Sequence, residues 1–166
     1  SFFQTHSLGA QKLYQTVLNY AEIKNNETVL DLYSGTGTIP IFLANKARSV
    51  TGIEINESAV QDKNNGIDNC DFICGDIKEK LASISRQPDA LIIDPPRAGM
   101  HKDVLAQVLA LSPEKIIYVS CNPTTMARDI SLLIQDYDVI EIQPVDMFPQ
   151  TYHIEAVAQL RRRKKS

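Results

Sequence analysis

The sequence predicts an open α/β sheet with a ligand crevice at the carboxyl ends of its strands. Three observations predict it. Residues 29–40 read Val-Leu-Asp-Leu-Tyr-Ser-Gly-Thr-Gly-Thr-Ile-Pro. This apolar run stops at a glycine turn and resumes with helical spacing at Ile39, Ile41, Phe42, Leu43 and Ala44. Residues 49–55, Ser-Val-Thr-Gly-Ile-Glu-Ile, form a second β-branched run. It places Glu54 about 20 residues after the turn, where an acid accepts hydrogen bonds from ribose hydroxyls. Apolar strand runs and helical patterns then alternate to the end of the chain.

Gly35 and Gly37 permit positive φ and let a ligand approach the backbone without meeting a Cβ. Read as G-x-G-x-x-G, the turn has Pro40 in place of the third glycine, a residue tolerated in the first turn of a helix. The turn and Glu54 alone suit a nicotinamide dinucleotide as well as other adenosine cofactors, and a plain tight βα turn is the bland alternative.

The 166 residues suit one domain. At 43% apolar and 22% charged the composition is that of an ordinary globule, and no run has the length of a membrane span or the pattern of a signal peptide. The net charge of −3 is uneven, with five cations at 161–165 offsetting a more acidic body. A basic face for nucleic acid is therefore not evident in bulk; the tail is expected either to meet phosphates or to fray in solvent. Cys70, Cys74 and Cys121 are an odd, scattered set that suits a reducing cytoplasm rather than a disulfide framework. Cys70 and Cys74 read as structural, and no zinc-ligand spacing occurs.

Taken in order, Phe2-Phe3-Gln4-Thr5-His6 precedes a helix over 8–21, with Leu13, Val17, Leu18 and Ala21 on one stripe. After the first strand, helix and second strand, Asn64-Asn65-Gly66 ends the next connection. A third strand, 72–74, delivers Gly75-Asp76, where Asp76 either caps the helix over 77–85 or meets an adenine amino group. The buried run 89–93 ends in Asp94-Pro95-Pro96-Arg97, a rigid exit that fixes Asp94 and Arg97 at the sheet rim. Asp94 is costly there without a partner. A helix over 102–111 and a strand over 115–119 lead to Ser120-Cys121-Asn122-Pro123. Asn122 suits the N-cap and Pro123 the first position of a helix over 124–134, with Met126, Ile130 and Leu133 inward. Cys121 then lies between a strand's carboxyl end and a helix's amino end, where the dipole favours a thiolate. A buried cysteine acting as a small hydrophobe is the alternative. A sixth strand covers 139–145 and a seventh 152–160; in the latter, Glu155 sits among apolar neighbours as a candidate acid or base. His153 reads as structural.

Five stretches together resemble the RNA 5-methyluridine methyltransferases: Phe2-Phe3-Gln4; Asp31-Leu32-Tyr33-Ser34-Gly35-Thr36-Gly37; Asp94-Pro95-Pro96-Arg97-Ala98-Gly99; Ser120-Cys121-Asn122-Pro123; and Asp146-Met147-Phe148-Pro149 with Thr151 and His153-Ile154-Glu155. The resemblance implies S-adenosylmethionine as cofactor, RNA (rRNA or tRNA) as substrate, and a Rossmann-like class I fold. That fold is a seven-stranded, mostly parallel sheet with the last strand antiparallel and helices on both faces. By the same resemblance Gln4, Tyr33, Glu54 and Asp94 bind the cofactor, Cys121 is the nucleophile and Glu155 the base. Arg97 is a candidate for a phosphate or a uracil carbonyl. Ser34, Pro40 and His6 stand where the family commonly has Cys, Gly and Asn, and the stretch 60–66 is shorter than usual. The reading expects a single catalytic domain from a longer protein, without the family's amino-terminal RNA-binding region and iron–sulfur cysteines. It leaves the oligomeric state open. A cofactor- or RNA-binding module without turnover is the second reading, and a nicotinamide-dependent oxidoreductase the third.

Overall fold

The computed structural model describes residues 8–57, 66–147 and 154–164. The described elements are α1 (Leu8–Ala21), β1 (Thr28–Leu32), α2 (Thr38–Ala44), β2 (Ser49–Glu54), β3 (Cys70–Cys74), α3 (Ile77–Ala82), β4 (Ala90–Ile93), α4 (Lys102–Leu111), β5 (Lys115–Ser120), α5 (Pro123–Leu133), β6 (Tyr137–Asp146) and β7 (Ile154–Arg162). The strands form one sheet of order β3-β2-β1-β4-β5-β7-β6. The first five are parallel, and β7 runs antiparallel between β5 and β6.

Both faces of the sheet are covered, which is why its central strands are apolar throughout rather than alternating. All residues of β4 and β5 are buried. Successive side chains in β5 go to opposite faces. Ile117 and Val119 pack with Leu13, Val17 and Ala21 of α1 and with Ile39 and Leu43 of α2. Ile116 and Tyr118 pack with Leu81 of α3, Val104 and Val108 of α4, and Met126, Ile130 and Leu133 of α5. At about 1.5–3 kcal/mol for each fully buried Val, Leu or Ile, these two layers dominate the fold's stability. The helix boundaries follow local chemistry. Asn122 caps α5 by accepting from the Thr124 amide at 3.1 Å, with Pro123 next in line.

Several boundaries differ from the sequence reading, among them the third strand, which begins at Cys70 rather than at 72. The helix expected over 77–85 stops at Ala82, because Ser83 and Ile84 donate to the carbonyls of Lys80 and Leu81 in a tight final turn. The sixth strand begins earlier, at Tyr137, whose buried hydroxyl donates to the Pro113 carbonyl at 2.6 Å. The basic tail does not begin at Arg161. Arg161 and Arg162 belong to β7, and Arg161 pairs in register with Lys115 at the start of β5. Arg161 binds Glu22 at 2.6 Å and Arg163 binds Asp138 at 2.6 Å. These cations therefore lie at the pole opposite Cys121, roughly 20 Å away along β5 at ~3.3 Å per residue. The expected seventh strand from Tyr152 has its described start at Ile154; residues 152 and 153 lie outside the described segments, as does 60–65.

Candidate active site

The chain moves outward from β1 through β2 to β3, then returns to place β4 on the other side of β1. Such a switch in direction opens a crevice at the carboxyl ends of the two strands. Leu32 and Ile93 are the last register pair of β1 and β4, so Tyr33 and Asp94 emerge side by side at its mouth. The Asp94 amide reaches the Leu32 carbonyl at 3.4 Å.

The β1 turn has an unusual backbone. Tyr33, Gly35 and Gly37 have φ of 62°, 51° and 78°. Glycine adopts this region freely, but a tyrosine there is strained, by roughly 1–2 kcal/mol, and such strain collects at functional sites. The Tyr33 hydroxyl is pushed up to about 12 by burial first, then by the charges of Asp129 and Asp76, so it remains a neutral O–H group. Glu54 closes the turn from the neighbouring strand. One carboxylate oxygen accepts from the Gly35 amide at 2.7 Å and the other from the Asn56 amide at 3.0 Å. A carboxylate has about four lone-pair positions, so Glu54 can orient the turn and still accept from a ligand hydroxyl. Asp76 caps α3, accepting from the Glu79 amide at 3.1 Å, and is exposed on the same rim. The cap expected as one of its two roles is thus present.

Asp94 is partly buried, and among the described residues no side-chain hydrogen bond to its carboxylate is found. Desolvation, and then the negative charge of Glu155, push it up to about 7. Glu155, itself half-buried, lies on β7, which β5 separates from β4 in the sheet. Arg97 is exposed on the loop after β4, with its carbonyl held by Asn122 and Thr125 of the α5 terminus.

Cys121 is exposed, which removes the alternative of a buried cysteine serving as a small hydrophobe. Its turn is built by Ser120, whose hydroxyl accepts from the Asn122 amide and donates to the Asn122 carbonyl, both at 2.9 Å. The antiparallel register of β5 and β7 pairs Val119 with Val157 and Ser120 with Ala156. Extended by one step, it sets Cys121 opposite Glu155. A thiol at a helix amino end and a carboxylate thus each lie one residue beyond the last β5–β7 pair, at the rim that also carries Asp94. Cys70 is buried in the α1–α2 layer, and the Cys74 thiol reaches the Ile55 carbonyl at 3.7 Å, consistent with structural roles. Gln4, His6 and His153 lie outside the described residues. Among the described residues no cluster of metal-ligating side chains occurs, and no helix is long and apolar enough to cross a membrane.

Sequence reasoning missed Asp129, Arg128 and Tyr118, which hold the loop after β4. The signal was present. Asp129 is three residues after Met126 and four before Leu133, an acid on the helix's apolar stripe.

This sheet, with a reversed strand inserted before the edge and a carboxylate-lined switch point, defines a class I methyltransferase fold. Solved structures agree. An N-methyltransferase from Bradyrhizobium japonicum WM9 matches with a TM-score of 0.79 at 12% identity, covering 96% of this chain and 90% of that one, a likeness of fold alone. The chain itself belongs to the tRNA (uracil-5-)-methyltransferase family, whose model matches residues 1–163. It is 47% identical over 166 residues to an uncharacterized RNA methyltransferase of Caldanaerobacter subterraneus subsp. tengcongensis, covering 96% of this chain and 37% of that protein. It is also 47% identical over 169 residues to one from Bacteroides thetaiotaomicron, again covering 37% of it. A crystal structure of Pyrococcus abyssi tRNA (uracil-54, C5)-methyltransferase in complex with S-adenosyl-L-homocysteine matches at 38% identity and a TM-score of 0.76, covering 91% of this chain and 38% of that one. The chain thus spans little more than a third of the length of these relatives. The family and the reversed β7 both decide against the nicotinamide-dependent reading.

Proposed function

We propose that the chain is the catalytic portion of an enzyme that methylates C5 of uracil in RNA, with S-adenosylmethionine as methyl donor. The observation that carries this reading is the β5–β7 register, whose last pair, Ser120 with Ala156, leaves the exposed Cys121 and Glu155 as the next residue on each strand. Both the family model, which is named for tRNA, and the archaeal neighbour favour tRNA as the first substrate to test, with rRNA as the alternative.

The crevice residues fit the cofactor. Gly35 and Gly37 allow close approach to the β1 turn, Glu54 suits ribose hydroxyls, and Asp76 at the neighbouring strand end suits an adenine amino group. Tyr33 presents a neutral hydroxyl and a ring at the mouth. Asp94 is a desolvated carboxylate with no hydrogen-bonded cation among the described residues, suited to the cofactor's positively charged end. Gln4 is assigned to this site by resemblance. The cofactor, once bound, supplies an electrophilic methyl group.

The chain's own residues do the rest. Uracil C5 is a poor nucleophile. The Cys121 thiolate would add to C6, forming the C6–S bond and moving the ring π electrons onto C5, which would take the methyl group as the methyl–sulfur bond of the donor breaks and its electron pair stays on that sulfur. Glu155 takes the proton from C5, the C5–C6 double bond re-forms, and the C6–S bond breaks to return the thiolate. One difficult step becomes two easier ones. The target base must leave any stack to reach this rim. Arg97, exposed beside Asp94, is assigned to a backbone phosphate or a uracil carbonyl.

Incubating the protein with methyl-labelled cofactor and tRNA or rRNA transcripts, then digesting to nucleosides, is expected to yield labelled 5-methyluridine. Label on the ribose or on another base would overturn the reading.

A pH dependence follows from Asp94. A cationic ligand favours its ionised form, so cofactor affinity is expected to rise about tenfold per pH unit below about 7 and to level above it. Asp94→Asn should abolish that slope and weaken binding at high pH. The same group sets a stability trend in the cofactor-free chain. Its folded value is raised from 3.8, so its contribution is fully present below about 4 and is lost as pH rises through about 7. Asp94→Asn should therefore melt higher than the parent above pH 7 and show no such gain near pH 4. Calorimetric titration and thermal melts over pH check both. An affinity flat in pH in the parent would contradict the assignment.

A further inference from the structure

Asp129 is completely buried on the inner face of α5. One of its oxygens, Oδ2, accepts from the Met100 amide at 2.8 Å and from the Tyr118 hydroxyl at 2.6 Å. The other, Oδ1, accepts from Arg128 Nε at 2.9 Å and Nη2 at 2.7 Å. The same Nη2 donates onward to the carbonyls of Ala98, at 2.9 Å, and Met100, at 3.3 Å. One turn earlier, Asn122 Nδ2 and Thr125 Oγ1 both donate to the Arg97 carbonyl, at 3.2 and 3.1 Å. Between these bonds Gly99 has φ of 78°, and a Cβ there would lie 2.5 Å from Arg128 Nη2 and 2.7 Å from Asp129 Oδ2. The segment from Arg97 to Met100 is thus fastened, group by group, along the helix that begins two residues after Cys121.

Burying a carboxylate is expensive, and a well-packed apolar side chain would hold two segments together without that cost. What the charged pair adds is direction: each bond specifies one backbone group at one distance. We propose that Arg128 and Asp129 are positioning residues, a clasp that locks the loop carrying Asp94 and Arg97 to the nucleophile's helix so that Asp94 and Cys121 keep one spacing. This rests on the reading of Asp94 as a cofactor ligand. The clasp acts through Asp94, so its loss has to register there and not only in the melting temperature.

The test uses Asp129→Asn and Arg128→Ala, each made alone and in an Asp94→Asn background, at a temperature where circular dichroism finds them folded. The S-adenosylmethionine dissociation constant is measured over pH. Each single variant is expected to weaken binding on the order of tenfold. Each should also move the pH midpoint down from about 7, as water reaches a loosened Asp94 and relieves the burial that, ahead of the Glu155 charge, raises it. In the Asp94→Asn background neither should have a further effect. If Asp129→Asn does not fold, Arg128→Ala, whose side chain is half exposed, carries the test. Variants that melt lower while affinity and midpoint stay unchanged would overturn the clasp and leave Asp94 in place, as would effects that simply add to that of Asp94→Asn. An Asp94→Asn variant with parental affinity and pH slope would remove the Asp94 assignment and the clasp together.

Discussion

Replacing Cys121 with serine is expected to lower methyl transfer by about 10⁴-fold or more, while cofactor affinity stays at the parental value. In the proposed route the thiolate is the attacking species, and a thiol reaches that state near neutral pH far more readily than a hydroxyl does. Serine preserves the shape of the turn, because the bonds that build it belong to Ser120 and Asn122 rather than to residue 121. The loss should therefore be one of chemistry, not of folding or binding. Single-turnover transfer and calorimetric titration separate the two. A Cys121→Ser rate within tenfold of the parent would remove the covalent route.

Glu155→Gln is expected to separate the two halves of the reaction. In the proposed route its carboxylate takes the C5 proton after the methyl group has arrived, so the first transfer should survive while release of product slows by about 10²–10⁴-fold. RNA covalently joined to the protein should then accumulate and be visible on a denaturing gel. A second effect follows from the charge removed. Glu155 is one of the two causes that raise Asp94, so the midpoint of cofactor affinity should move below about 7 in this variant. Transfer and release falling in parallel, with no trapped RNA, would assign Glu155 to binding or stability instead.

Much of the fold was legible because the central strands are buried on both faces and therefore read as unbroken apolar runs. The α1 and α4 ranges were readable in full, since a single buried stripe marks each. The cap of α5 was written in Asn122-Pro123, and the crevice in the Gly35–Gly37 turn with Glu54 about 20 residues on. Three features were not readable in the same way. Register is a property of two strands at once, so nothing local to Cys121 or Glu155 states that both come next after one ladder's last pair; the β5–β7 register does. The elevation of Asp94 comes first from burial in the folded sheet and then from a charge 61 residues away in sequence, on the reversed β7. Arg161 and Arg162 looked like part of a frayed basic end, but β7 had not run out of partners there: Lys115 and Asp138 pair with Arg161, and Tyr137 pairs with Arg162. Asp129 was the one miss with a local signal, an acid on an apolar helix face.

The central claim is that Cys121 forms a covalent bond to uracil C6 on the way to a C5-methylated product. Intact-protein mass spectrometry tests it most directly, after mixing the protein with S-adenosylmethionine and RNA carrying 5-fluorouridine at the target position. Fluorine at C5 leaves no proton for Glu155 to take, so the adduct cannot resolve. The account predicts a mass increase equal to the RNA plus one methyl group, mapped to Cys121 by digestion and absent in Cys121→Ser. Methylation of the unfluorinated RNA under the same conditions, with no adduct on the fluorinated one, would contradict it.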